Sequence, residues 1–164
     1  MAAKAKHFEL TDETKVNPSG ITLHRIRLTS DCKWGKKGTL GGWVEKESNI
    51  RGNAWVSDDA QVSGDAVVTD DAVVSGDAWI YGDARVYGNA WVSGNAVVFG
   101  NAVVSDDAQV SGNAQVYGNA VVSGNAVVSG NAVISGNAVV SDSAQVSGNA
   151  RVSGDARVSG NAWE

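Results

Sequence analysis

Alanine occupies every sixth position from Ala54 to Ala162, nineteen times in succession, and Val or Ile stands two residues after every one of them except the last. The unit is A-x-V-S-G-N, with Asp often in place of Asn. Period six matches neither 3.6 nor 3.5, and β-branched and bend-forming residues recur throughout it, so a helix is excluded. In an extended segment, residues two apart share a face, which turns Ala and Val inward together and leaves the residue between them and the one after Val facing out. The Gly-Asn, Gly-Asp or Asp-Asp pair then makes a corner, because these residues tolerate positive φ. Three strands and three corners make a triangular coil of 18 residues.

Burying one Val contributes about 1.5–3 kcal/mol, whereas ordering one residue costs about 1–2 kcal/mol. A single coil therefore cannot stand alone, and stability must come from stacking many. The phase extends back through Ser48-Asn49-Ile50 to Gly42-Trp43-Val44. That predicts an all-β parallel β-helix over residues 42–164, nearly seven coils. At about 4.8 Å per coil the rod is roughly 33 Å long. Residues 1–41 lack the repeat, and HFEL, ITLHRIRL and the intervening NPSG predict a small β cap over the open edge of the first coil.

The net charge of −5 conceals two unlike parts. Residues 1–51 hold ten Lys/Arg against six Asp/Glu, and residues 52–164 hold three Arg, no Lys and twelve Asp/Glu. The acidic repeat is unsuited to displacing counterions from a phosphate backbone, which argues against duplex nucleic acid as a partner. No segment approaches the roughly 18 consecutive apolar residues of a membrane span, and the start MAAKAKHFEL has no apolar core of signal-peptide length. The single cysteine, Cys32, allows no disulfide within the chain, and the expectation is a cytoplasmic protein.

The segment GKKGTLGGWVEKESNI running into GNAWV resembles the start of bacterial and phage-borne hexapeptide-repeat proteins of the left-handed β-helix superfamily, which are often labelled acyltransferases. The resemblance covers the whole chain and implies a left-handed coil, trimers, and in the enzymes a histidine general base at the boundary between two subunits. Only His7 and His24 are present, and both lie in the cap. The repeats also lack the loop excursions that build a substrate site. Cys32 has Lys33 beside it but no partner base. No catalytic residue and no cofactor is assigned.

Asp70, Asp71, Asp106, Asp107 and Asp142 fall at one corner, and oxygen ligands would suit Ca²⁺. The pairs recur every second coil, however, about 9–10 Å apart, too far for one ion to bridge. Turn chemistry accounts for them, and no metal is assigned. Ice binding would need a threonine array, yet Thr69 is the one Thr among the repeats.

The outward positions carry the remaining information. On one wall Tyr81, Phe99 and Tyr117 form a column on three consecutive coils, with Trp79 and Val97 beside them, an apolar patch of the kind that marks a contact surface. A second wall carries Val103, Val121 and Val139, bracketed by Arg85 and Arg157, with Tyr87 next to Arg85. The third has Trp55, Val73 and Trp91, then Gln109, Val127, Gln145 and Trp163. With no Lys on any wall, homo-oligomerisation is the expected remedy for stickiness. At the far end Ala162-Trp163-Glu164 stops in phase, predicting an edge covered by Trp163 or a partner. The leading expectation is a non-enzymatic module that self-associates and binds a partner or ligand through these walls, with a phage or prophage accessory protein as its setting. The alternatives are a hexapeptide-class acyltransferase with an intersubunit site, and a viral protein sequestering a small host nucleotide, with a base stacked on the aromatic rings and phosphates met by Arg25, Arg27, Lys36 and Lys37.

Overall fold

The computed structural model describes residues 6–164, so the first half of the basic start MAAKAKHFEL lies outside the described residues. The chain opens with strand β1 (Phe8–Val16) and strand β2 (Thr22–Leu28), paired antiparallel. Their turn is built by Asn17, whose side-chain oxygen accepts the N–H groups of Ser19 and Ile21, both at 3.0 Å. β2 pairs antiparallel with β3 (Leu40–Val44), and β3 pairs parallel with the strand at Gln61–Val62. The hairpin therefore extends one wall of the solenoid outward as further strands. It also contributes core, because Phe8, Ile26 and Leu28 join the same buried cluster as Val44 and Trp55.

Eighteen two-residue strands follow, from Trp55–Val56 to Arg157–Val158. They stack as three parallel sheets in an 18-residue register: Trp79 pairs with Gln61 and Val97, Trp91 with Val73 and Gln109, Val103 with Arg85 and Val121. The sheets hold nine, six and six strands, and the nine include β1 and β2. The chain is thus an all-β parallel solenoid. Its interior is a closed tube of Ala and Val: Ala54 through Ala144 and Val56 through Val146 are all essentially inaccessible.

The corners continue the backbone ladder instead of interrupting it. Asn95 donates its N–H to Gly112 O at 2.8 Å, and Asn113 to Gly130 O at 2.7 Å. Gly112 has φ +67°, and a Cβ there would lie 2.9 Å from the Gly130 nitrogen, a close approach that favours glycine where corners stack. Asp58, Asp70, Asp106 and Asp142 adopt the same left-handed conformation. Each accepts with its carboxylate the N–H of the glycine one coil later: Gly76, Gly88, Gly124 and Gly160, at 3.0–3.1 Å. This is the turn chemistry expected of the aspartates, with an axial hydrogen bond added. The Asn side chains form axial chains of their own, Asn95 to Asn113 to Asn131 to Asn149 at 3.1–3.2 Å.

The left-handed φ of Asp106 separates two substitutions at one position. Replacing Asp106 by Ala places a Cβ in the left-handed region and deletes the bond to Gly124, which costs about 2 kcal/mol. Asp106→Gly loses the same bond but not the backbone preference, as Gly88 and Gly124 occupy the same corner on adjacent coils, and stays within about 1 kcal/mol of the parent. Urea unfolding of the two variants reads the difference; equal losses would remove the conformational explanation.

Candidate functional site

The wall that the hairpin extends is also the aromatic one. Tyr81, Phe99 and Tyr117 follow the buried Ile80, Val98 and Val116, so all three rings leave the same face one coil apart. They stack nearly parallel, with centroids 5.0 Å apart and planes 6° apart for Tyr81 and Phe99, 4.8 Å and 11° for Phe99 and Tyr117. That spacing is the strand separation of the sheet itself. The rings, with Trp79 and Val97, are half-buried against each other. Burial pushes the Tyr81 phenol above its ordinary range.

The head of this wall is more enclosed than the sequence reading anticipated. The Asn17–Gly20 turn leans over it, and Asn17, Ser19 and Ile21 face Gln61, Ser63, Trp79 and Tyr81 across a cleft of about 170 Å³. Ser63 is buried there, and the side-chain oxygen of Gln61 is buried without a hydrogen-bond partner among the described residues. One coil earlier, Trp43 is buried under the hairpin, with Lys15 Nζ 4.5 Å and Arg25 Cζ 5.3 Å from its ring centroid. Arg25 Nε donates to Gly41 O at 3.1 Å.

The second wall carries Val103, Val121 and Val139 in register, half-buried, between exposed Arg85 and Arg157. Tyr87 stands beside Arg85 and is 37 % exposed. Arg85 and Tyr87 line a shallow groove with Arg51, Asp65 and Asp83. On the third wall Trp91 is 52 % exposed, its indole N–H donating to Ser75 Oγ at 3.1 Å. Trp55, expected on that outer surface, is instead buried, because the β1–β2 hairpin packs over it: Phe8 and Ile26 share its cluster and the His7 ring lies 6.2 Å away. Trp163 is 73 % exposed and pairs with Gln145 by a single bridge.

The cationic set proposed for phosphates is largely engaged by carboxylates. Arg27 Nε donates to Glu9 at 2.9 Å, Arg25 lies 3.8 Å from Glu13, and Lys36 lies 3.8 Å from Asp31. Asp31 also accepts the backbone N–H of Lys37. Lys33 pairs with Asp71 and holds its carboxyl below the ordinary range; Lys46 does the same to Asp65. The His7 ring nitrogen lies 2.9 Å from Ala54 O, and His24 sits in β2 opposite Val44. The histidines do not converge on the aromatic wall. Among the described residues no cluster of His, Cys, Asp or Glu could hold a metal ion, and no helix is long and apolar enough to cross a membrane.

Three features escaped the sequence reading. Asn49 is fully buried where the repeat places an outward residue, and it is fully satisfied: its side chain accepts from Lys46 N–H and donates to Gly64 O and Ala66 O. The signal was the departure of Ser48-Asn49-Ile50 from A-x-V. The asparagine chains and the Gln61 cleft had no local signal.

Compared with known protein families, the chain matches the one described as the YdcK beta solenoid repeat, over residues 60–76, 78–94, 92–106, 108–122, 114–130, 132–148, 144–160 and 150–164. No curated protein matches it. The matched segments cover more than half of the chain and coincide with the stacked coils, so the chain belongs to the YdcK beta solenoid repeat family.

Proposed function

We propose that this protein is a non-enzymatic scaffold that self-associates through its aromatic wall and presents the remaining surfaces to a partner or ligand. The observation that carries the reading is the Tyr81–Phe99–Tyr117 stack with Trp79 and Val97 beside it, a continuous apolar strip on an otherwise regular rod. Serine takes the same place on neighbouring coils, at Ser63 and Ser135, and the fold accepts it. The rings are therefore not required to build the coil, and a contact surface is the use that remains for them. Three copies around a threefold axis is the arrangement that the resemblance to hexapeptide-repeat proteins implies, each copy offering one flat wall. The exposed thiol of Cys32 suits a reducing compartment such as the cytoplasm.

Sedimentation equilibrium tests the reading. The expected mass is a multiple of 16.9 kDa, with three copies favoured. A monomer persisting at roughly 100 µM would place any association beyond a useful affinity and would overturn it.

A further inference from the structure

We infer that the cleft between the hairpin turn and the aromatic wall is a receptor for a guanidinium group, the side chain of an arginine displayed by a partner polypeptide. The cleft is small, about 170 Å³, well under the roughly 300 Å³ at which small-molecule sites usually begin, so it suits one side chain. It offers flat indole and phenol rings from Trp79 and Tyr81 and one unspent acceptor, Gln61 Oε1, buried and without a partner among the described residues. An acceptor buried without a partner is unfavourable, and a donor reaching it removes that penalty. Gln115 stands in the same outward column three coils on, and it is exposed; the hairpin is what encloses Gln61.

The donor should be cationic and planar. No Lys or Arg lines the cleft, and the N–H of its lining residue Gly64 donates to the Glu45 carboxylate at 2.6 Å. The wall already holds such a group one step from the cleft. Over Trp43, which pairs with Gln61, the Arg25 guanidinium lies 5.3 Å from the ring and donates to a neutral oxygen, Gly41 O. Trp79, on the other side of Gln61, has no cation over it among the described residues. A guanidinium on Trp79 or Tyr81 that donates to Gln61 Oε1 repeats that arrangement with an arginine from outside. Arginine stacks on aromatic faces and donates in a plane, which a lysine ammonium cannot do.

The inference does not rest on self-association, and the two fail separately. The test titrates Nα-acetyl-arginine amide into the full chain, following the Trp79 indole resonance, assigned by its loss in Trp79→Phe. The same titration is run on a Phe99→Ser, Tyr117→Ser variant, which keeps every cleft residue but disrupts the wall beyond it. Saturable shifts are expected in at least one of the two proteins, about tenfold tighter than with the citrulline or lysine counterpart. Gln61→Glu should tighten binding about threefold or more and Gln61→Val should weaken it about tenfold, while Gln115→Val changes nothing. Val97 and Val133 occupy the same column, so the Gln61→Val protein folds. Absence of saturation in both proteins, citrulline binding as tightly as arginine, or weaker binding by Gln61→Glu would overturn the assignment.

Discussion

Serine in place of Tyr81, Phe99 and Tyr117 together leaves the protein folded and monomeric. Each ring stands outward from a strand whose inward Val or Ile is untouched, and Ser63 and Ser135 show that the column accepts serine on the flanking coils. The variant loses two stacked pairs within the chain, about 0.5–1.5 kcal/mol each, so its thermal midpoint falls by a few degrees. The effect on association is much larger. Aromatic anchors at the centre of an interface typically cost about 2 kcal/mol or more apiece, which for three non-additive positions is a loss of about a thousandfold or more. Sedimentation velocity with far-UV circular dichroism on the same sample separates the two effects. An unchanged assembly would show that the rings are not the contact.

Val110→Asp acts in the opposite way, through the inside. Val110 is inaccessible and stacked between Val92 and Val128, with apolar side chains from all three walls around it. A carboxylate there has no partner and no water, a cost of several kcal/mol. Because each coil is held mainly by its neighbours, the damage spreads along the axis, and the expected result is loss of amide protection on both sides of the substituted coil. Gln109→Asp, one residue away and facing out, stays within about 0.5 kcal/mol. Hydrogen exchange read coil by coil checks both; protection confined to loss at one strand would contradict the stacked account.

That contrast between neighbouring residues also explains what could be read from the chain. Inside the solenoid every contact is a consequence of the period: Ala and Val repeat at six, so their burial and the 18-residue pairing follow from local alternation alone. The outward columns are equally periodic, which is why the stacking of Tyr81, Phe99 and Tyr117 could be anticipated from their 18-residue spacing. The hairpin obeys no such rule. Where the hairpin lands decides that Trp55 is buried and not displayed, that Trp43 is clasped by Lys15 and Arg25, and that Gln61 is enclosed while Gln115 is free. Those are contacts between residues far apart in sequence with no shared period. The cationic residues of the N-terminal segment show the same limit, since their carboxylate partners, Glu9 for Arg27 and Asp71 for Lys33, are set by tertiary placement.

Removing one six-residue unit tests directly whether the repeat builds the rod while the outward columns give it a function. Deleting residues 108–113 puts Ala114 and Val116 where Ala108 and Val110 stood, so the interior remains Ala and Val throughout. The outside is rotated by one wall, however, and Tyr117 leaves the column of Tyr81 and Phe99. Deleting the whole coil 118–135 keeps both the interior and the column. Sedimentation equilibrium of the two proteins is the measurement. Both proteins are expected to fold, the 18-residue deletion to associate like the parent, and the six-residue deletion to be impaired. Equal association by the two would contradict this, because the assembly would then be indifferent to which wall carries the rings.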